Sequence, residues 1–245
     1  MNLTDRHLAI GTLLFEGVDQ FDVTGPFEVL SRLPNVTHRL YGLSAAPVRD
    51  VMGLRLLPDA TIAEAPPLDV LHVPGGSGQE ALMDDGAVLA WLRAQALGAT
   101  AVLSVCTGAL LLGAAGLLVG RRATTHWSAH HVLALYGAVP VNERVVHDRG
   151  FLFAAGVTSG IDGALRLAAE LRGRAAAERI QLDIAYAPEP PFSSGTPETA
   201  PALVLHEARE KGAEMAQRRL ATARRFASGL HEQASEFGTP SGGNE

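Results

Sequence analysis

The chain has 245 residues, 26 of them acidic and 20 basic, and its formal net charge of −6 gives no reason to expect nucleic acid or an anionic membrane as a partner. Its single cysteine excludes an intramolecular disulfide, and no cysteine–histidine cluster has zinc-site spacing. The N-terminus lacks the basic-then-apolar pattern of a signal peptide, and no stretch approaches the ~18 consecutive apolar residues of a membrane-spanning helix. We therefore expect a soluble, cytoplasmic protein without a bound metal.

The first predicted element is a buried strand over residues 7–15, which is apolar on both faces, as a parallel sheet requires. The loop that follows, residues 16–26, brings three acids and two glycines to the carboxyl end of that strand, the edge where open parallel sheets bind ligands. Asp22 has two interpretations. It is either the N-cap of a helix through residues 27–30, with Pro26 in its first turn, or a carboxylate directed at a site.

Residues 37–44 alternate between apolar and polar side chains like a strand. Residues 45–62 are expected to form either a hairpin or a connection with little strand structure. A third buried strand, residues 68–73, leads directly into the loop Pro74-Gly75-Gly76-Ser77-Gly78. Glycines at this edge let backbone N–H groups approach a ligand without obstruction by side chains. The loop has neither GxGxxG nor GxxxxGK[ST] spacing, so we do not predict nucleotide binding and expect no cofactor.

An amphipathic helix over residues 84–97 precedes an apolar strand, residues 101–105, that stops at the only cysteine. A turn of small residues and a helical run over residues 109–118 follow. Such a turn places Cys106 at a helix N-terminus, where the dipole and free N–H groups favour a thiolate and lower the thiol pKa from ~8.5. Cys106 is therefore a candidate nucleophile, and a small buried hydrophobe is an equally open interpretation.

Further along, residues 120–127 form a short strand or loop that ends in a His-Trp pair. Residues 139–146 and 150–155 predict a hairpin. A stretch rich in Thr, Ser and Asp then opens a long helix over residues 164–171, and its Asp162 is interpreted as a capping residue.

The alternation of buried strands and helices predicts one doubly wound α/β domain over residues 1–190. Residues 191–235 are expected to form a proline-rich crossing and a charged C-terminal helical extension, and residues 236–245 a disordered tail. Three loops should then converge at the carboxyl edge of the sheet: 16–25, 74–78 and 106–108.

Five stretches in order resemble the ThiJ/PfpI superfamily, related to class I glutamine amidotransferases: FEGVDQFDVTGP, LHVPGGSG, SVCTGALLLGAAGLL, ATTHW and GVTSGIDGAL. The resemblance spans roughly residues 7–190 and implies a flavodoxin-like, doubly wound, mostly parallel sheet with helices on both faces. D-x-T-G-P together with C-T-G and T-T-H-W is most similar to two branches, the isonitrile hydratases and the sensor domains found before AraC-type DNA-binding domains. Residues 201–245 are too few for the double helix-turn-helix of the second branch, so a stand-alone enzyme is expected.

The resemblance also implies roles for individual residues. Cys106 corresponds to the family nucleophile, Asp22 to the acid that hydrogen-bonds it, and Thr107 to the hydroxyl residue after the nucleophile. The backbone N–H groups of Thr107, Gly75 and Gly76 would stabilise developing negative charge.

His126 corresponds to the histidine of the amidotransferases, but the acid expected two residues later is Ser128 here. We therefore do not expect a glutaminase-type triad and interpret His126 as an accessory, substrate-binding residue.

For the isonitrile hydratase branch, the implied activity is a hydro-lyase reaction that converts an isonitrile to an N-substituted formamide. It would proceed through a thioimidate on Cys106, with Asp22 as the general acid and base. Two alternatives remain open: a glyoxalase-like conversion of methylglyoxal, and a non-catalytic sensor in which the cysteine is oxidised. A small-molecule substrate and a homodimer are expected, with no nucleic-acid or membrane partner.

Overall fold

The computed structural model describes residues 6–236, with side chains described as far as residue 229. The strands of this part of the chain are β1 (Leu8–Leu14), β2 (Val36–Gly42), β3 (Val48–Arg49), β4 (Arg55–Leu56), β5 (Ala60–Thr61), β6 (Val70–Val73), β7 (Ala101–Val105), β8 (Arg122–Ala123), β9 (Val139–Pro140), β10 (Val145–Asp148) and β11 (Phe151–Ala154). The helices are α1 (Gln20–Leu30), α2 (Gln79–Leu82), α3 (Gly86–Gly98), α4 (Gly108–Ala114), α5 (Ser159–Arg172), α6 (Arg174–Asp183) and α7 (Ala202–Glu236), with 3₁₀ segments at Ile62–Glu64 and Trp127–Tyr136.

Seven strands form the main sheet in the order β10-β11-β7-β6-β1-β2-β5, and every neighbouring pair is parallel except β10 with β11. This arrangement confirms the predicted doubly wound, mostly parallel α/β fold. The chain runs from β1 outward to β2 and then returns to the other side of β1 with β6 and β7. The strand order therefore reverses beside β1, and a crevice for a ligand is expected at the carboxyl ends of the strands at such a point.

Each face of the sheet is covered by its own apolar core. On β7, Val102 packs in a cluster with Leu92 of α3 and Leu110 of α4. Leu103, its neighbour along the strand, belongs to the opposite cluster, together with Leu167 of α5. Because the side chains of a strand alternate between faces, burial on both faces requires the continuous apolar run that the sequence shows here.

Helix α1 differs from the prediction because it begins at Gln20 instead of residue 27, and Pro26 lies inside it instead of in its first turn. A proline at this position has no N–H to give to the carbonyl four residues earlier, which belongs to Asp22. The helix nevertheless continues, because its N-terminal part is fixed by a cap at Asp19 and by the buried side chain of Val23.

Three other predictions need correction. Helix α4 ends at residue 114 instead of 118, and helix α6 was not predicted. The predicted hairpin forms only between β10 and β11, because β9 pairs in parallel with β8. Asp162 does not cap α5; its carboxylate accepts hydrogen bonds from the Arg144 guanidinium and the Tyr186 hydroxyl (2.9 Å), which lie outside the helix.

The C-terminal extension packs against the same side of the sheet as α4. Helix α7 lies on the 3₁₀ segment 127–136, where the rings of Tyr136 and Phe226 are 5.6 Å apart. The Thr222 hydroxyl donates to Glu80 of α2 at 2.9 Å. Of the tail predicted for residues 236–245, all but the first residue lies outside the described part of the chain. Within residues 6–236, no helix is both long enough and apolar enough to span a membrane.

Candidate active site

Asp22 lies in the first turn of α1 and is completely buried. Asp19 is the N-cap of the helix, since its carboxylate accepts the N–H of Phe21 at 3.0 Å. Of the two interpretations of Asp22, the cap is therefore excluded. The Asp22 carboxylate instead accepts the N–H of Gly75 at 2.9 Å, which joins the loop after β1 to the loop after β6. A Cβ on Gly75 would lie 2.5 Å from the Thr107 nitrogen, so only glycine fits there.

Cys106 stands at the turn between β7 and α4, residues 105–108, which we call the elbow. Its φ of 55° is in the left-handed region, which side chains other than glycine rarely adopt. Two hydrogen bonds hold this conformation: the Cys106 N–H donates to the Ala154 carbonyl at 2.9 Å, and the Cys106 carbonyl accepts the Thr125 hydroxyl at 2.6 Å. The thiol interacts electrostatically with the Asp22 carboxyl and with the N–H of Thr107.

Thr107 links the elbow to the glycine loop. Its hydroxyl accepts the N–H of Gly76 at 3.2 Å and lies 3.4 Å from the Gly76 carbonyl. The three loops predicted to converge therefore do meet at the carboxyl edge of the sheet. The N–H groups of Gly75 and Gly76 are already engaged, by Asp22 and Thr107 respectively. In this structure they position the acid and the hydroxyl.

The electrostatics of the Asp22–Cys106 pair differ from the prediction made for an isolated helix N-terminus. Burial, reinforced by the nearby Asp19 carboxylate, raises the pKa of Asp22 from 3.8 to about 7. Burial and the Asp22 charge also raise the pKa of the Cys106 thiol, against the smaller opposing effects of the Thr107 N–H and the Arg219 guanidinium. The predicted lowering of the thiol pKa is therefore wrong for the resting protein, because desolvation and a carboxylate outweigh the helix terminus.

His126 is hydrogen-bonded to the serine that replaces the expected acid. Its Nδ1 lies 2.8 Å from the Ser128 hydroxyl and also accepts the Ser128 N–H, so Nδ1 is an acceptor and Nε2 carries the ring proton. Burial, with a smaller contribution from the Arg219 charge, lowers the pKa of His126 to about 4. The neutral ring packs on Trp127, with 5.3 Å between the ring centroids.

Three residues near the site were not singled out from the sequence: Thr125, His72 and Arg219. Thr125 holds the elbow, and Arg219 of α7 contacts Ser128 and acts electrostatically on the Cys106 thiol. His72 is fully buried beneath α1, with its Nδ1 2.9 Å from the Thr12 hydroxyl. Its other nitrogen faces the Asp22 carbonyl, beyond normal hydrogen-bond geometry. The Asp22 carbonyl has no helical N–H donor, because the residue four positions later is Pro26. This spacing is the sequence signal that could have indicated a polar neighbour for that carbonyl.

A cavity of about 420 Å³ is lined by Thr125, which holds the elbow, but not by Cys106 or Asp22 themselves. Thr125 and His126 line one side of it, Val157 and Thr158 another, and residues 195–198 of the proline-rich crossing form part of its rim. Val157 also packs against the core cluster that contains Cys106. Within the part of the chain whose side chains are described, no three or more His, Cys, Asp or Glu residues are grouped so that they could hold a metal ion.

Residues 9–170 match the DJ-1/PfpI family. The chain belongs to this family. Over 224 residues it is 49% identical to the isonitrile hydratase of Pseudomonas putida, an alignment that covers 91% of this chain and 98% of the relative. A crystal structure of a ThiJ/PfpI family protein from Pseudomonas syringae superposes with a TM-score of 0.87 at 40% identity, covering 89% of this chain and 91% of that one. The transcriptional regulator GbdR of Pseudomonas aeruginosa is 33% identical over 126 residues, which cover 50% of this chain and 34% of the regulator.

Proposed function

We propose that this protein is an isonitrile hydratase, which adds water to R–N≡C and releases the formamide R–NH–CHO. The observation that carries the proposal is the buried and electrostatically interacting pair of Asp22 and the only cysteine of the chain. An acid with a pKa of about 7 can both donate and accept a proton near neutral pH, and the proposed reaction needs both steps. The similarity to the P. putida isonitrile hydratase along nearly the full length of both chains supports the substrate class.

The first half-reaction forms a thioimidate. The pair holds one proton, and in its reactive form Asp22 is the carboxylic acid and Cys106 the thiolate. Asp22 gives its proton to the terminal carbon of the isonitrile, and the thiolate electron pair forms a C–S bond to the same carbon. The product is R–N=CH–S–Cys106, with Asp22 left as a carboxylate. Because the charge moves from sulfur to carboxylate within one buried pair, the burial of that charge changes little during the step.

The second half-reaction consumes water. The Asp22 carboxylate takes a proton from a water molecule as its oxygen attacks the thioimidate carbon, and the same proton is then passed to the nitrogen. The tetrahedral intermediate R–NH–CH(OH)–S–Cys106 collapses when its hydroxyl proton returns to Asp22 and the C–S bond breaks. Formamide leaves, and the acid and thiolate are restored, so the cycle needs no cofactor.

The neighbouring groups have supporting roles in this scheme. Gly75 fixes one oxygen of Asp22 with its N–H, while the other oxygen makes no hydrogen bond to the protein that meets normal geometry. The N–H of Thr107 faces the sulfur and is suited to stabilise the thiolate, and its hydroxyl is the group we assign to orienting water. His126, neutral and protonated on Nε2, is suited to donate a hydrogen bond to the substrate from the wall of the cavity.

The experiment is to incubate the purified protein with cyclohexyl isocyanide and follow N-cyclohexylformamide by chromatography and mass spectrometry. Wild type is expected to form the formamide, and Cys106→Ser and Asp22→Asn to lose at least ~10²-fold in kcat/KM, the usual contribution of a positioned proton-transfer group. Thr61→Ser, a substitution in β5 outside the site, is the matched control and should retain activity. If wild type leaves the isocyanide untouched and consumes methylglyoxal, the hydratase proposal is wrong and the glyoxalase-like alternative takes its place.

We also propose that the protein forms a homodimer, as its family resemblance implies. The β3–β4 hairpin beside the first loop exposes four apolar side chains: Val51, Met52, Leu54 and Leu57. The hairpin is anchored to the loop by the bond from the Gly17 N–H to the Arg49 carbonyl, 2.8 Å. Sedimentation velocity should give a dimer for wild type and a monomer for Met52→Lys combined with Leu57→Lys. The equally exposed Leu97→Lys, on α3, should leave the dimer intact.

A further inference from the structure

Arg219 is a buried cation on a helix whose other arginines are exposed. Its side chain is only 8% accessible, whereas Arg218 and Arg224 on the same helix face solvent. The Nη1 of Arg219 lies 3.5 Å from the Ser128 hydroxyl, and its Nε is buried without a hydrogen-bond partner among the described residues. A buried guanidinium with an unused donor is costly unless a negative charge or a hydrogen-bond network compensates it.

The groups around Arg219 are of both signs. Glu80 of α2 attracts it, Arg218 repels it, and the hydroxyl of Tyr136 and the thiol of Cys106 interact with it as anions when they ionise. Glu80 already accepts hydrogen bonds from Thr222 at 2.9 Å and from the Gln79 side chain at 3.2 Å, so it is shared among several donors.

Without Arg219, the charged side chains that act on the Cys106 thiol would all be negative. Asp22 from α1 and Asp19 from its cap both place negative charge toward Cys106. Among the described residues, the cation that acts on the thiol is Arg219 of α7.

A chain of hydrogen bonds connects the arginine with the same elbow. A guanidinium can only donate, so Ser128 accepts from Arg219, and because Nδ1 of His126 already accepts the Ser128 N–H, the Ser128 hydroxyl donates to it. His126 follows directly on Thr125, whose hydroxyl holds the Cys106 carbonyl at 2.6 Å. The arginine is therefore placed to orient the Ser128 hydroxyl that donates to His126.

We propose that Arg219 is a positioning residue of the site, which holds the Ser128–His126 pair in one orientation and supplies the positive charge that compensates the Cys106 thiolate. The proposal rests on Cys106 being the reactive group of the proposed function, but it does not depend on the identity of the substrate. It makes the C-terminal helix part of the catalytic apparatus, although that helix lies outside the residues that match the family.

Alkylation of the single cysteine tests this without any turnover. Wild type and Arg219→Met are treated with iodoacetamide over a pH series, and the rate of carbamidomethylation is measured by mass spectrometry. We expect Arg219→Met to move the midpoint of the rate profile upward by about one pH unit, which slows alkylation at pH 7 by about tenfold. Arg219→Lys keeps the charge and should restore most of the rate, and Arg224→Met, exposed on the same helix, should match wild type.

The outcomes separate an electrostatic role from a purely structural one. If Arg219→Met is folded by circular dichroism and its midpoint equals that of wild type, the proposal is overturned, even if its rate differs by a constant factor at every pH. If the methionine variant is unfolded, Arg219→Gln, which keeps a donor for Ser128, is measured against the same criterion. If wild type does not hydrate the isocyanide, only the proposed function is overturned. The Arg219 proposal would still stand or fall by the alkylation midpoints, which do not depend on the substrate.

Discussion

Replacing Asp22 by Asn should stabilise the protein at neutral pH while it removes the proposed activity. The pKa of Asp22 is 3.8 as a free group and about 7 in the folded protein, so the folded state binds this proton more tightly than the unfolded chain. The contribution of Asp22 to the free energy of unfolding therefore falls as the pH rises from about 4 to about 7. Between pH 5 and pH 7.5 the loss from this group alone is about 2.5 kcal/mol, at ~1.36 kcal/mol for each pKa unit.

Asparagine is neutral throughout this range, and its carbonyl oxygen can still accept the Gly75 N–H. The difference in unfolding free energy between Asp22→Asn and wild type should therefore grow by about 2.5 kcal/mol from pH 5 to pH 7.5. Urea unfolding followed by circular dichroism at both pH values measures it, and the other titrating groups cancel because both proteins share them. Asp183→Asn, an exposed carboxylate at the end of α6, is the control and should show no growth.

A difference that is the same at both pH values would refute the reasoning, because it would mean that Asp22 is ionised in the folded protein already at pH 5. The hydration assay on the same variant gives the second half of the prediction. Gain in stability with loss of turnover is the pattern expected where a buried ionisable group is kept for chemistry at the expense of stability.

Three further predictions follow from the surroundings of the pair. Asp19→Asn keeps an N-cap of equal quality but removes a carboxylate that raises the pKa of Asp22, so the acid limb of kcat/KM against pH should move to lower pH. Gly75→Ala would place a Cβ 2.5 Å from a backbone nitrogen of the elbow. We expect this variant to lose at least tenfold in kcat/KM and about 1–3 kcal/mol in stability. Gly98→Ala, whose Cβ would meet open space, is the control. Burial lowers the pKa of His72 to about 3, so this group binds protons preferentially in the unfolded chain below ~6.5. In urea unfolding, the free energy of unfolding of His72→Gln relative to that of wild type should therefore increase as the pH falls from about 6.5 to about 4.

Strand periodicity and the positions of small residues were sufficient to predict the sheet and the place of the site. The apolar runs 7–15, 68–73 and 101–105 each contain a strand of the main sheet, and each is followed by a loop that reaches the site. This worked because a parallel strand buried on both faces needs a continuous apolar run, and its carboxyl end must lie at one common edge.

The start of α1 could not be predicted in the same way. Pro26 was taken as a helix beginning, since proline is favoured in the first turn and disfavoured inside. Inside α1 its cost is limited to one missing hydrogen bond at the Asp22 carbonyl, and tertiary packing of the helix on α5 outweighs a local preference of that size. Arg219 was missed for a related reason, because one arginine among several on a charged helix carries no local sign of being buried.

The direction of the cysteine pKa shows how local and tertiary effects combine at this site. The elbow does provide the N–H of Thr107, as the sequence predicted, but the same fold brings a buried carboxyl to the sulfur and removes water from both groups. A cysteine activated only by a helix terminus would be a thiolate at rest and open to oxidation. In the proposed reaction the thiolate forms together with a neutral Asp22, the combination required to protonate and attack one carbon of an isonitrile. For that reason we interpret the raised thiol pKa as support for acid-assisted addition over a resting oxidation sensor.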